Sequence, residues 1–172
     1  MKYLAKHIIL VLGLLTLCSC GFHLRGHAAI PAELMSLRIT PFAPYEPFHK
    51  MLRQSLKYAG VQIVQDIESN QQIPILNISA PQFTERTVAY GRDGQAHRVS
   101  LILKIPYLLK DPQGRFQVPD HLIELQREIN VNPNVILGAV NEKATVQKEM
   151  LREAVSQLFW QLSVINLKMD SP

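Results

Sequence analysis

Residues 73–110 read IPILNISAPQFTERTVAYGRDGQAHRVSLILKIPYLLK, and this stretch decides the fold of the chain. It contains two long extended runs, Ile73–Tyr90 and Gln95–Lys110, which are joined by the tetrapeptide GRDG at residues 91–94. An Asp-Gly pair is the preferred centre of a two-residue hairpin turn because both turn positions take positive φ. The stretch therefore predicts a long antiparallel β-hairpin with the Asp-Gly pair at its turn.

Both arms of this hairpin are longer than ordinary strands. Strands rarely exceed about ten residues, so we expect the arms to be bent or interrupted. Pro81 and Pro106 each lack the N–H that a ladder hydrogen bond needs, and they mark bulges or edges. A second turn, DPQG at residues 111–114, leads into a third extended run, Arg115–Val131, which contains Pro119. Together these segments predict a β-meander.

The segment before the hairpin predicts a strand, a helix and a second strand. Apolar and polar residues alternate over Leu34–Thr40, which is typical of a strand. Pro47 suits the first turn of a helix, and Gly60 suits its end. Val61–Ile67 predicts the second strand, so the three elements form a crossover unit that we expect to be right-handed. The apolar face of this helix consists of Phe48, Leu52, Leu56 and Ala59.

The chain ends in a predicted helix, roughly Gly138–Leu167, followed by a short tail over 168–172. Two helices with one apolar face each and a mostly antiparallel sheet pack best as two layers. We therefore predict a single α+β domain over 34–167, a two-layer sandwich with two helices on one face of a mixed, mostly antiparallel sheet of four to five strands. Trp160 and Val164 lie off the main apolar stripe and fit either a partner contact or flank packing. That stripe consists of Ala144, Leu151, Ala154, Val155, Leu158, Leu162 and Ile165.

The N-terminus predicts a bacterial lipoprotein signal. A short basic segment and an apolar run precede the sequence LCSCG at residues 17–21, and about ten apolar residues are too few to span a bilayer. Cleavage before Cys20 removes residues 1–19 and leaves Cys20 as the lipid anchor of an irregular lead over 20–33. The glycine that follows Cys20 points to the outer membrane, on its periplasmic side. The alternative is an ordinary secretory signal with an incidental cysteine.

Charge excludes little beyond nucleic-acid binding. The chain has 172 residues, 18 Lys+Arg, 14 Asp+Glu and a formal charge of +4. Removal of Lys2 and Lys6 with the signal leaves a mature charge of +2. We find no basic run or aromatic-spaced stripe, and we expect no nucleic-acid partner. An anionic ligand therefore requires a local patch.

The sequence contains no recognisable catalytic or metal-binding motif. His23 and His27 are four residues apart, but they lie in a glycine-containing lead without a third ligand. No serine lies in a Gly-x-Ser-x-Gly turn, and Asp66 and Glu68 fall at a strand end and in a loop. We therefore predict no metal, no cofactor other than the lipid on Cys20, and no enzymatic activity, with an anchored hydrolase as an alternative.

Basic side chains gather along the predicted hairpin. Arg92 lies at the tip, Arg86 lies on one arm, and His97 and Arg98 lie on the other. Near the end of a hairpin such residues occupy neighbouring cross-strand positions, and arginine recognises phosphate through two parallel hydrogen bonds. The pattern fits either an anion site or a solvated loop tip.

The start of the mature chain resembles a known family. The sequence CGFHLR at residues 20–25 is similar to the mature start of the LptE family of lipopolysaccharide-assembly lipoproteins, which typically reads Cys-Gly-aromatic-x-Leu-Arg. Weaker matches follow in the same order along nearly the whole chain. They are Pro31, the Gly60-Val61 joint, the Arg92-x-Gly94-Gln95 hairpin, Asn132-Pro133 and Val146-Gln147-Lys148-Glu149-Met150.

The resemblance implies a function as well as a two-layer fold. LptE-like proteins plug the lumen of the outer-membrane β-barrel LptD, support its assembly and help insert lipopolysaccharide into the outer leaflet. It also implies that a basic residue at the hairpin tip, here Arg92, contacts the lipid A phosphates. The family's second basic position falls on Ala139, for which Lys143 is a substitute one helical turn later. The alternative function is a scaffold for another envelope complex without glycolipid binding.

Overall fold

The computed structural model describes residues 30–41, 46–65, 73–113, 116–132 and 135–165, without the side chains of 116–120, 136 and 137. The predicted signal over 1–19, the anchor Cys20, most of the lead over 20–33 and the tail over 168–172 lie outside the described residues. These predictions stay predictions.

Six strands and two α-helices follow one another in the described part of the chain, after a short 3-10 turn at Ala32–Leu34. In chain order they are β1 (Ser36–Thr40), α1 (Pro47–Tyr58), β2 (Gln62–Ile63), β3 (Ile75–Ile78), β4 (Gln82–Tyr90), β5 (Ala96–Lys110), β6 (Phe116–Asn130) and α2 (Ile136–Val164).

Strand β5 is the centre of the sheet. On one edge β6 pairs antiparallel with Arg98–Lys110 of β5. The other edge is shared, because β4 pairs with residues 96–104 and β3 pairs with residues 107–110. Beyond β3 lie β1, which is parallel to β3, and β2, which is parallel to β1. The described sheet is therefore mixed, and it has six strands rather than the predicted four to five.

The extra strand arises because the predicted run Ile73–Tyr90 is split. β3 ends at Ile78 and β4 begins at Gln82, with Pro81 in the gap. Ser79 N–H donates to the carbonyl of Pro106 at 2.9 Å, so Pro106 lies at the point where β5 changes partner from β3 to β4. The predicted interruption is confirmed.

The other strand boundaries differ from the prediction in two places. The first strand begins at Ser36 rather than Leu34, because Leu34 N–H closes the 3-10 turn on the Pro31 carbonyl at 2.9 Å. Of the second strand, predicted over Val61–Ile67, the described residues 61–65 form a strand at Gln62–Ile63, and residues 66 and 67 lie outside the described residues. Gln62 and Ile63 pair with Ser36 and Leu37 at the start of β1, whose later residues pair with β3 instead.

Helix α1 begins and ends where the sequence predicts. The Glu46 side chain accepts a hydrogen bond from His49 N–H at 2.8 Å, which satisfies a free donor of the first turn, and Pro47 follows as the first helical residue. After Ala59 the chain leaves the helix through Gly60, whose φ of +86° suits a residue without Cβ. The buried face of α1 includes Phe48, Leu52 and Leu56, as predicted.

Helix α2 covers the sheet with a somewhat different stripe from the predicted one. Ala154, Val155, Leu158 and Leu162 are buried, and Met150, which was not predicted, joins them. Ala144 is exposed, so its assignment to the buried face was wrong. The described helix runs over Ile136–Val164. Trp160 and Val164 are half exposed, which leaves both interpretations of these residues open.

Both helices pack on the same face of the sheet. Leu101, Leu103 and Ile105 of β5 alternate with exposed or half-buried neighbours, and they belong to one buried cluster with α1 and α2. We call this side of the sheet the helix face and the opposite side the outer face. The predicted α+β two-layer arrangement is confirmed.

Three polar contacts also connect α2 to the sheet. Arg127 of β6 bonds Glu153 at 2.5 Å, and Lys143 pairs with Glu85 of β4. Tyr107 OH donates to Gln161 Oε1 at 2.6 Å, and burial raises the pKa of Tyr107 to about 12. These contacts supplement the apolar packing and fix the orientation of α2.

Neither α1 nor α2 combines the length and the hydropathy that a membrane-spanning helix needs.

We expect Leu158→Ala to lower the free energy of unfolding by about 2–5 kcal/mol, because it leaves a cavity in the layer between α2 and the sheet. The matched change Leu122→Ala, at a residue that is 47% exposed, costs less than about 1 kcal/mol. Urea unfolding followed by circular dichroism measures both values. Equal losses would contradict the assignment of the core.

Candidate anion-binding site

The tip of the β4–β5 hairpin is a three-residue loop, Arg92–Gly94, so the predicted two-residue turn was wrong. Gly91 N–H donates to the Gln95 carbonyl at 2.8 Å, and Gly94 N–H donates to the Gly91 carbonyl at 3.0 Å. Gly94 has a φ of +74°. This is the pattern of a type I turn followed by a left-handed glycine, the next most common hairpin connection. The Asp-Gly pair therefore marks the turn but does not form its two central positions.

Asp93 stabilises this loop with its side chain. Its carboxylate accepts a hydrogen bond from Gln95 N–H at 3.1 Å and lies 3.3 Å from Nε2 of His97. The Gln95 hydrogen bond, followed by the contact with His97, lowers the pKa of Asp93 below its ordinary value. The negative charge next to Arg92 is therefore already engaged within the loop.

Two bulges flank the loop and shape it. Between Thr87 and Ala89, β4 contains one extra residue, Val88, and between Ala89 and Tyr90 the extra residue, His97, is on β5. Bulges increase local twist and redirect side chains. The His97 ring reaches back so closely that a Cβ placed on Gly91 would lie 2.4 Å from Nε2. A side chain at position 91 would therefore displace the His97 and Asp93 side chains from this arrangement.

The four predicted arginine and lysine contacts are Arg92, Arg86, Arg98 and Lys143. Arg92 and Arg86 have no carboxylate within ion-pair distance in the described part of the chain. Arg92 is exposed at the tip of the hairpin. Arg86 is exposed on the outer face of β4 opposite Ser100, six residues and about 20 Å of strand away from Arg92. The predicted cluster is therefore more dispersed than the sequence suggests.

Arg98 and Lys143 have acidic partners and lie on opposite sides of the sheet. Arg98 Nη1 is 3.7 Å from Glu128 on the outer face, and its Nε is 3.4 Å from Asn130 Oδ1. Lys143 pairs with Glu85, which shares the helix face with Leu101. The structure therefore does not bring Lys143 together with Arg98 as one site.

A surface cleft of about 460 Å³ lies at the base of the hairpin tip. It lies where the end of β6 meets the start of β5, since Val131 N–H donates to the His97 carbonyl at 2.9 Å. Its lining residues are Ala89, His97, Arg98, Asn130, Val131 and Asn132. Sequence reasoning identified Arg98 and His97 but missed Asn130, whose only signal is its position in the third extended run.

The predicted second basic position also lies close to this end of the sheet. Asn132 lines the cleft, and Val135 N–H donates to its carbonyl at 3.0 Å just before α2 begins. Ala139 follows in the first turns of α2, where its N–H donates to the Val135 carbonyl at 3.1 Å. Lys143 lies one further turn along α2, beside β4.

The remaining histidines occupy separate environments. His49 is buried against Phe48 in an edge-to-face contact, and burial lowers its pKa. His121 has a similar ring contact with Tyr107. His23 and His27 lie outside the described residues. Within the described ranges no three His, Cys, Asp or Glu side chains converge as metal ligands.

We expect His97→Ala to raise the pKa of Asp93 but not to its ordinary value, because the larger contribution of Gln95 N–H remains. A lowered carboxylate pKa stabilises the folded loop above the ordinary pKa, and this contribution is lost as the pH falls through the lowered value. Carbon-13 NMR of the Asp93 carboxyl during an acid titration measures the change. His121→Ala is the control, and an unchanged Asp93 pKa in His97→Ala would show that His97 does not contribute.

The chain matches a family model over most of the described domain. The model for LptE, described as lipopolysaccharide-assembly, matches residues 34–162. A relative named LPS-assembly lipoprotein LptE from Photorhabdus laumondii is 30% identical over 166 residues, which cover 96% of this chain and 89% of the relative. A relative with the same name from Pectobacterium atrosepticum is 31% identical over 166 residues, with the same coverage.

Solved structures show the same fold at lower identity. The rare lipoprotein B from Shewanella oneidensis superposes with a TM-score of 0.65 at 19% identity, covering 74% of this chain and 93% of that chain. An uncharacterized lipoprotein B from Nitrosomonas europaea gives a TM-score of 0.66 at 21% identity, covering 83% and 90%. These likenesses support the fold, and the family match over 34–162 supports the assignment: the chain belongs to the LptE family.

Proposed function

We propose that this protein is an outer-membrane lipoprotein that occupies the lumen of the LptD β-barrel, supports the assembly of that barrel and helps insert lipopolysaccharide into the outer leaflet. The observation that carries the proposal is the LptE family match over residues 34–162. The lipid on Cys20 holds the protein at the periplasmic side of the membrane. This role requires no catalytic step.

The architecture is suited to a plug. A plug must keep its shape inside a wide pore and must present polar groups, because the interior of an outer-membrane barrel is polar. The buried layer between the helices and the sheet, together with the Arg127–Glu153 and Lys143–Glu85 pairs, provides a stiff body. The outer face supplies a polar surface with cross-strand ion pairs such as Lys104–Glu124.

The hairpin tip is proposed as the contact with lipopolysaccharide. Arg92 is exposed, has no acidic partner among the described residues, and sits on a loop held by Asp93. An arginine in this position is available for bidentate hydrogen bonds to a phosphate of lipid A. Arg86 and Arg98 extend the basic surface along the outer face, while Lys143 can take part only after release from Glu85. Neutralisation of phosphates would loosen lipopolysaccharide packing without covalent chemistry.

We expect a large outer-membrane β-barrel to co-purify with the protein in about a 1:1 ratio from detergent-solubilised outer membranes. A tagged full chain and mass spectrometry of the isolated complex test this expectation. The variant Cys20→Ser removes the lipid anchor and leaves residues 34–162 unchanged. It therefore separates the contribution of the anchor to co-purification from that of the folded domain. Recovery of another envelope complex in place of the barrel would favour the scaffold alternative.

We expect Arg92→Glu to weaken lipopolysaccharide binding by about tenfold or more, because a charge-assisted hydrogen bond contributes about 1.5–3 kcal/mol. Lys57→Glu makes the same change of charge on the exposed surface of α1, away from the hairpin, and serves as the control. Binding of the purified lipoprotein to lipopolysaccharide in detergent measures both. Equal affinity of the two variants for lipopolysaccharide would indicate that the tip is a solvated loop without a lipopolysaccharide contact.

A further inference from the structure

The cleft beside the hairpin tip has a composition suited to an acidic sugar. It combines the Arg98 guanidinium and the amide groups of Asn130 and Asn132 with two small apolar side chains, Ala89 and Val131. Amides both donate and accept hydrogen bonds, as sugar hydroxyls do, and a guanidinium binds phosphate or carboxylate. The apolar residues suit the C–H face of a sugar ring. The volume of the cleft, about 460 Å³, falls in the usual range for small-ligand sites.

Arg98 and Asn130 are only loosely engaged in the free protein. Arg98 is 3.7 Å from Glu128 and 3.4 Å from Asn130, both longer than a strong charge-assisted hydrogen bond of about 2.8 Å. The side chains of Arg98 and Glu128 are 52% and 47% exposed. The Asn130 amide nitrogen donates to no group within the described ranges. An anion can therefore replace Glu128 at Arg98 without breaking a buried ion pair.

The position of the cleft relative to Arg92 defines the length of the ligand. Arg98 lies four residues after Gly94, near the start of β5, so a distance on the order of 10 Å along the hairpin separates it from Arg92. The His97 bulge lies between them and lines the cleft, while Asp93 holds its Nε2. A ligand that contacts both arginines therefore needs two acidic groups separated by a comparable distance.

We propose that this cleft is a second subsite, which binds the phosphorylated sugar headgroup of a glycolipid through Arg98 and Asn130 while Arg92 binds a second acidic group. The inference rests on the proposed function, because it assigns a sugar-recognition role next to the proposed phosphate contact. The subsite differs from the proposed phosphate contact in one respect: Arg92 alone recognises charge, whereas Asn130 recognises the sugar framework. Glu128 is the counterion that the ligand displaces.

The test measures binding by the full lipidated protein in detergent. The probes are lipid A, its deacylated diphosphorylated diglucosamine headgroup, phosphatidylglycerol in mixed micelles, and inorganic phosphate. We expect Asn130→Ala to weaken binding of lipid A and of the headgroup by about five- to tenfold and to leave phosphatidylglycerol binding unchanged. Asn130→Asp, which keeps the shape of the side chain and adds a negative charge, should weaken both sugar probes further.

Gln126→Ala is the matched control, because Gln126 is an exposed amide on the outer face of the same strand but outside the cleft. Headgroup binding that is unchanged in both Asn130 variants but lost in Arg92→Glu would overturn the subsite and leave the proposed function intact. Competition by phosphatidylglycerol or inorganic phosphate that equals competition by the headgroup would overturn the sugar assignment. Absence of lipid A binding by the unaltered protein would overturn both the subsite and the proposed contact at Arg92, whereas failure of a barrel to co-purify would overturn the proposed plug.

Discussion

The double pairing of β5 is the constraint on which the rest of the structure depends. Its 15 residues pair with β6 on one edge and with β4 and then β3 on the other. This register places Leu101, Leu103 and Ile105 under the helices and Arg98 on the outer face. A slip of one residue would exchange the two faces and bury the charge, so the apolar pattern specifies the register strongly. The position of the hairpin tip follows from that register.

The sequence predicted the elements whose signals are local. The alternation of apolar and polar residues in the second arm of the hairpin determines a strand within a few residues. Pro47 and Gly60 likewise determine the start and the end of α1. The details that depend on other segments were not predictable in the same way. The loop gained a residue because the Asp93 side chain and the His97 bulge organise it. Ala144 was placed on the buried face by its helical spacing alone, and it is exposed in the folded domain.

The candidate site shows the same contrast between local sequence signals and contacts that depend on the tertiary fold. Sequence spacing locates the basic residues, but it gives no information about their counterions. Arg98 meets Glu128 and Asn130 through the β5–β6 register, and Asn130 is 32 residues away in the chain. Lys143 meets Glu85 because α2 lies on the face of the sheet to which Glu85 belongs. Both pairings require the tertiary fold, so the separation of Lys143 from the hairpin's outer face could not be derived from the sequence alone.

The position and exposure of an ion pair indicate whether its residues are available to a ligand. Arg127 and Glu153 join β6 to α2 at 2.5 Å, but their side chains are 53% and 44% exposed, so this pair only supplements the apolar packing that holds the helix on the sheet. Arg98 and Glu128 join two strands that already share a continuous ladder, at 3.7 Å and with both side chains about half exposed. Exposed pairs of this kind contribute little to stability. Exchange of Glu128 for a phosphate therefore costs the fold almost nothing, and the same chemistry that makes Arg98 a weak structural contact makes it a suitable binding group.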